Sequence, residues 1–195
     1  MTSENMRNQR IAILIFLSIF FGCFSSSAIS EETPIWSSVG GWTIHVDRTL
    51  DFGCFAMASY ELGSALRFGW NPIREVAYLI LGDPSWKSLE VGKSYEIEIQ
   101  FDNLTPWEGT ATGVEMGQMV FLWVDIDDAN FIVEMAQRHA LKIFYQNDEI
   151  LRLSLQDSYR ALQEMIECQE TVNSAFEEYY RDDPFRPRSE DPFKR

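Results

Sequence analysis

Histidine is nearly absent from this chain, with two among 195 residues. Cysteine is scarce as well, at three. Basic residues are outnumbered, with sixteen Lys and Arg against thirty Asp and Glu, for a formal net charge of -14. No apolar run reaches the roughly 20 residues that a helix needs to cross a bilayer. Each shortage excludes something. A serine triad needs a histidine held by a carboxylate, and neither His45 nor His139 stands beside a nucleophile motif. No G-x-S-x-G, H-E-x-x-H or phosphate-cradling glycine loop occurs, which removes the catalytic patterns that short motifs reveal. Two cysteines without a histidine pair do not make a zinc site. The acidic balance repels phosphate backbones and anionic lipid, so neither nucleic acid nor a peripheral membrane surface fits as a partner.

What is present begins with an export pattern. Arg7 and Arg10 precede the apolar run Ile11 to Leu17, which resumes after Ser18 through Phe24. Small residues follow, with Ala28 and Ser30 placed for cleavage after Ser30. This reads as a secretory signal over residues 1–30. An uncleaved anchor and a lipid-modified Cys23 are the rival readings. Loss of 1–30 removes Glu4, Arg7 and Arg10, which changes the count to 14 basic against 29 acidic, or -15. The chain would then work in the periplasm or outside the cell, with no stable membrane insertion after cleavage. Cys23 would leave with the signal. Two thiols, Cys54 and Cys168, would remain in an oxidising compartment, where they are expected to pair. On the chain-entropy view such a bridge contributes up to about 4–5 kcal/mol, because it closes a loop of over a hundred residues.

Residues 31–41, with Pro34, Gly40 and Gly41, read as a linker. A folded domain is expected over 42–180. Trp42, Ile44 and Val46 alternate on one strand face. Cys54, Ala56, Ala58 and Tyr60 do so on the next, and the small alanines leave room for a helix to approach. Strands follow over 65–70 and 75–81. The alternation is clearest at Tyr95, Ile97, Ile99 and Phe101 against Ser94, Glu96, Glu98 and Gln100, a strand with one wet side. Weaker strand signals run from Trp107 to Val114, and 118–124 is apolar on both faces, as a central strand is. Asp125, Asp127 and Asp128 open a short helix over 129–139. They do not form an EF-hand, because Asn130 stands where a sharp-turn glycine is required. A hairpin spans 141–155. Asp157 or Ser158 caps a last helix, whose stripe of Ala161, Met165, Cys168, Val172, Ala175 and Tyr179 carries the second thiol to the core. The expected fold class is therefore α+β: a mostly antiparallel sheet or sandwich, packed against a C-terminal helix and tied by one disulfide.

From 181 to 195 the core-forming pattern stops, and disorder is expected there. Asp183-Pro184-Phe185-Arg186 is echoed by Asp191-Pro192-Phe193-Lys194. Phe185, Arg186, Phe193 and Lys194 are thus candidate docking residues. Elsewhere, Glu96 and Glu98 share a strand face, which a solvated surface explains. Trp36, Trp70 and Trp107 near loops are candidates for lining a groove, or for covering core edges.

Two segments carry a family likeness: Gly53-Cys54-Phe55-Ala56-Met57-Ala58, and Leu153 to Ala161 followed by Met165 and Cys168. In these the chain resembles the invasion-associated locus B group of small exported alphaproteobacterial proteins. The resemblance implies a β-rich, non-enzymatic exported domain with no catalytic residues to carry over. The expected function is accordingly a non-catalytic binding protein of the cell envelope, with an unidentified protein partner, no cofactor and no metal. The alternatives are an inhibitor of a cationic envelope enzyme such as a lysozyme, and a hydrolase whose site leaves no sequence signature.

Overall fold

The computed structural model of the chain describes residues 33–181. The leader, the cleavage position and the docking candidates Phe185, Arg186, Phe193 and Lys194 lie outside the described residues. Ten strands form one antiparallel sheet: β1 (Ile35–Val39), β2 (Trp42–Asp47), β3 (Gly53–Ser59), β4 (Ala65–Asn71), β5 (Val76–Gly82), β6 (Ser94–Phe101), β7 (Trp107–Met116), β8 (Met119–Ile126), β9 (Ala140–Tyr145) and β10 (Asp148–Ser154). Helix α1 (Ala129–Gln137) lies between β8 and β9, and α2 (Ser158–Arg181) follows β10. The spatial order is β1-β2-β3-β4-β5-β8-β7-β6-β9-β10. The first five strands form a meander, β8-β7-β6 return in reverse, and β9-β10 close the far end.

The sheet is open, with β1 and β10 as its edges. The expectation named a sheet or a sandwich; the strands pair as one antiparallel sheet. One face of the strands feeds a single core. It runs from Trp42 and Ile44 on β2 through Leu79 on β5 and Ile97 on β6 to Leu153 on β10. A sheet of this many strands accumulates right-handed twist until it curls, and curling lets one surface enclose its own core. Side chains bridge the approaching ends where strands do not pair. Tyr60 Oη donates to Ser154 O at 2.6 Å, and Trp42 Nε1 donates to Gln156 O at 2.9 Å.

The wet-sided strand is as its alternation implies: Tyr95, Ile97, Ile99 and Phe101 are buried while Ser94 and Glu96 are exposed. The stretch apolar on both faces becomes β8, in the interior of the sheet between β5 and β7. One expectation needs correction. Ile35–Val39 is not linker but an edge strand, paired with β2. It reads as a loop because Pro34, Ser37, Ser38, Gly40 and Gly41 surround three apolar residues; the glycines instead turn the β1–β2 hairpin, with φ of 56° and 91°. Of the two expected caps of α2, Asp157 directly precedes the helix, and Ser158 is already its first residue. Its buried hydroxyl donates to Met135 O of α1 at 2.8 Å and docks the two helices together.

Helix α2 lies against β1, β2 and β3. Ala161, Leu162, Met165 and Cys168 are its buried stripe. Cys54 on β3 and Cys168 on α2 form a disulfide, with Cα atoms 6.1 Å apart and 114 residues of separation. Cys54 N also donates to Gln169 Oε1 at 2.8 Å, so a side chain of the helix meets a backbone amide of the strand beside the bridge. Ala56 and Ala58, both buried, leave the space that α2 occupies.

Candidate functional site: a groove on the convex face

The outer face of a curled sheet normally meets water and is polar. Here part of it is not. Phe55 on β3 and Tyr78 and Ile80 on β5 are buried on this face, and Leu50, Met57, Met116, Phe121 and Trp123 pack around them. Two glycines make the packing possible. A Cβ on Gly69 would run into the Tyr78 ring and Phe55, and one on Gly82 would run into the Phe121 ring. Each aromatic ring thus lies over a strand position that has no side chain.

A cation sits in this apolar surface. The Arg67 guanidinium on β4 lies 3.6 Å from the Phe55 ring centroid and 5.1 Å from that of Tyr78. Its Nε donates to Tyr78 Oη at 2.9 Å, and one terminal nitrogen bonds both Tyr78 Oη and the Asp47 carboxylate. The Arg67 and Asp47 side chains are only 13% and 11% exposed, so each needs the other to offset its desolvation. Asp47 Oδ1 accepts from Thr49 N at 2.8 Å and from Thr49 Oγ1 at 2.6 Å. Burial pushes this carboxyl up, but the Thr49 bonds and the Arg67 guanidinium outweigh it and hold Asp47 below its ordinary value. Burial raises Tyr78 too, and here it wins over the pull of Arg67, to about 12.

Stacking extends this centre along the sheet. His45 on β2 stacks on the far side of the network at 5.0 Å from Phe55, and Trp123 on β8 stacks on Tyr78 at 4.3 Å. Trp123 Nε1 donates to Asp125 Oδ1 at 2.9 Å, and Asp125 takes a two-point contact from Arg74 at 3.0 and 2.6 Å. The opening aspartates expected before α1 therefore divide their work. Asp128 caps the helix, accepting from Asn130 N at 2.8 Å, while Asp125 belongs to the convex face.

Above Arg67 lies a groove of about 660 Å³. Thr33, Pro34 and Ile35 form one wall, Met116 and Phe121 the other, and Phe55, Met57 and Ile80 the floor. Edge strand β1 meets the groove at Ile35, which is 63% exposed. The groove offers apolar area, a rigid aromatic floor and a neighbouring unpaired strand edge. These are the components of a binding surface.

The chemical candidates from the sequence fall elsewhere or are occupied. His45 is in the groove, but its ring nitrogens are 3.1 Å from Thr33 O and 2.9 Å from Thr43 Oγ1, with no carboxylate. His139 lies beyond the end of α1, which stops at Gln137. Glu96 accepts from Thr110 Oγ1 at 3.0 Å on an exposed face. The three tryptophans do not share a groove. Trp107 Nε1 donates to Glu134 Oε2 at 2.9 Å and covers the core beside Phe131, Trp70 lies in a crevice next to α2, and Trp36 sits on the β1 edge. Among the described residues no group of three or more His, Cys, Asp or Glu is placed to hold a metal ion, and no helix is long and apolar enough to cross a membrane. Sequence reasoning missed the Asp47–Arg67–Tyr78 centre. Its signal lay on the opposite strand face: Phe55 and Met57, Tyr78 and Ile80, Phe121 and Trp123 put apolar or aromatic groups where a strand ought to be wet, with Arg67 and Gly69 between them.

The architecture defines a class first: a single curled antiparallel sheet closed by a disulfide-linked terminal helix. No family model matches the sequence, and no curated protein matches it either. Among solved structures the chain is similar to the crystal structure of invasion associated protein b from Bartonella henselae. The TM-score is 0.50 at 16% identity, over 69% of this chain and 97% of that one. The likeness is one of fold, and it agrees in kind with the weak resemblance carried by the Cys54 and Cys168 segments.

Proposed function

We propose that the protein is a non-enzymatic binding protein of the cell envelope that takes an extended segment of a partner protein along the convex groove. The carrying observation is the groove itself: an apolar floor built over Arg67, bordered by the edge strand β1. A segment crossing the strands from Ile35 toward Met116 would rest its apolar side chains on Phe55, Met57 and Ile80. The strongly acidic chain favours a partner segment flanked by basic residues. The basic start and apolar middle of residues 1–30 support export. The Cys54–Cys168 bridge supports an oxidising compartment.

The test is affinity capture from envelope extract on the full chain and on its Met57→Glu variant. Met57 lines the groove but is not among the buried core residues, so the variant is expected to fold. A captured protein that depends on Met57 and is released by salt fits the proposal. An empty captured set, or one that the variant leaves unchanged, removes it.

A further inference from the structure

A second concavity lies on the helical side of the sheet. It is a crevice of about 290 Å³ between α2, α1 and the β4–β5 strands, walled by Phe68, Trp70, Ala77, Ile132, Leu162 and Ile166. Glu170 and Asn173 stand at the end nearest the C-terminus of α2. Ile166 is 51% exposed at its rim. We propose that this crevice is the seat of the chain's own residues 182–195, with a phenylalanine of the repeated Pro-Phe-basic unit in the apolar slot and the following basic residue against Glu170.

Three observations carry the assignment. The first is reach. Arg181 ends α2 eight residues past Asn173, which is about 12 Å of helix. Residues 182–185, doubling back, span about 13 Å when extended, which brings Phe185 to the mouth. Phe193 stands twelve residues past Arg181. Fully extended, that is about 40 Å, more than the roughly 28 Å of helix back to Leu162.

The second is charge. The fourteen tail positions are neutral overall, with four basic residues against Asp182, Asp183, Glu190 and Asp191, but the residue directly after each phenylalanine, Arg186 or Lys194, is basic. The helix they follow carries Glu164, Glu167, Glu170, Glu177 and Glu178. The third is composition. The crevice presents almost only apolar surface, and the tail's apolar side chains other than proline are Phe185 and Phe193. A single ring and one surface ion pair bind weakly when free in solution. Tethering supplies an effective concentration in the millimolar range, so a contact of that strength is made and broken reversibly. Two copies of the unit raise the chance that one is seated.

The experiment uses the full chain with Phe193→p-benzoylphenylalanine, photolysed after export, with linked peptides mapped by mass spectrometry. A parallel sample carries the group at Phe185. The expected result is linkage within one chain to residues 162–173, 68–77 or 132. The yield should drop at least about fivefold when Ile166→Glu places a charge in the apolar slot. Should that variant fail to fold, Glu170→Lys, at an exposed position, reads the ionic half, and a fall in its yield serves the same purpose. Linkage between two chains, linkage to the convex groove or scattered over the surface, no linkage, or a yield unchanged in a folded variant overturns the proposal. Partner capture through Met57 is read on the other face of the sheet, so either proposal can fail alone.

Discussion

Arg67 shows how one residue can be both an anomaly and a necessity. Its charge is nearly withdrawn from water, and so is that of Asp47. Removing one partner of such a pair leaves the other buried and unpaired, at a cost of about 3 kcal/mol or more. Arg67→Leu should therefore lower stability by that amount in urea melts. The double variant with Asp47→Leu should recover most of the loss, because no orphaned charge remains; a double variant no better than the single one would contradict this account. Titration behaviour follows from the same contacts. Asp47 is held below its ordinary value, so its contribution is complete above the unfolded carboxylate value near pH 4 and is lost as pH falls through its lower folded value. Tyr78, raised to about 12, works in the opposite direction. Its contribution is full below about pH 10 and is lost as pH rises toward 12. Thermal melts from pH 9 to 12 should show Tyr78→Phe losing less stability than the parent.

At the scale of elements, the disulfide decides how α2 is held. The helix buries a four-residue stripe near its start, and Cys168 is the last fully buried residue among those of the helix up to 179. Beyond that point Val172 and Phe176 make partial contacts, including the Phe52–Phe176 edge pairing at 5.0 Å. Replacing both cysteines by alanine should cost about 2–5 kcal/mol, seen as a lower denaturation midpoint, with amide exchange rising first in α2. Gly69→Ala tests the convex face in the same way. A Cβ there meets Tyr78 and Phe55, so the variant should lose stability and shift the Tyr78 and Trp123 ring signals. The helix stripe, the β6 alternation and the small alanines opposite α2 were all legible, because each is a one-face pattern with a fixed period. β1 was not, because hairpin glycines and a true linker look alike over five residues. The Arg67 centre was not, because its members come from β2, β4 and β5 and meet only through strand register.

At the scale of the whole molecule, sequence patterning identified strands and closing helix but not their closure. Local alternation tells which face is dry, yet it does not say whether the dry face meets a second sheet or its own far end. Here the ten strands pair as one sheet, and one face of each feeds a single core. The sheet separates the convex groove from the helix-side crevice, so that the two proposed occupants, a partner segment and residues 182–195, need not compete. Retention of the proposed partner should weaken steeply with added salt if the acidic surface steers it, and a capture profile flat from low to high salt would argue against that steering. The Cys54–Cys168 bridge has one further consequence. Its sulfurs are separated by 114 residues, and eight of the ten strands lie wholly or partly inside the span. A polypeptide emerging N-terminus first exposes Cys54 long before its mate exists. Any product truncated ahead of residue 168 keeps the Cys54 thiol without its mate, open to exchange with other disulfides, so the bond doubles as a receipt for completed synthesis.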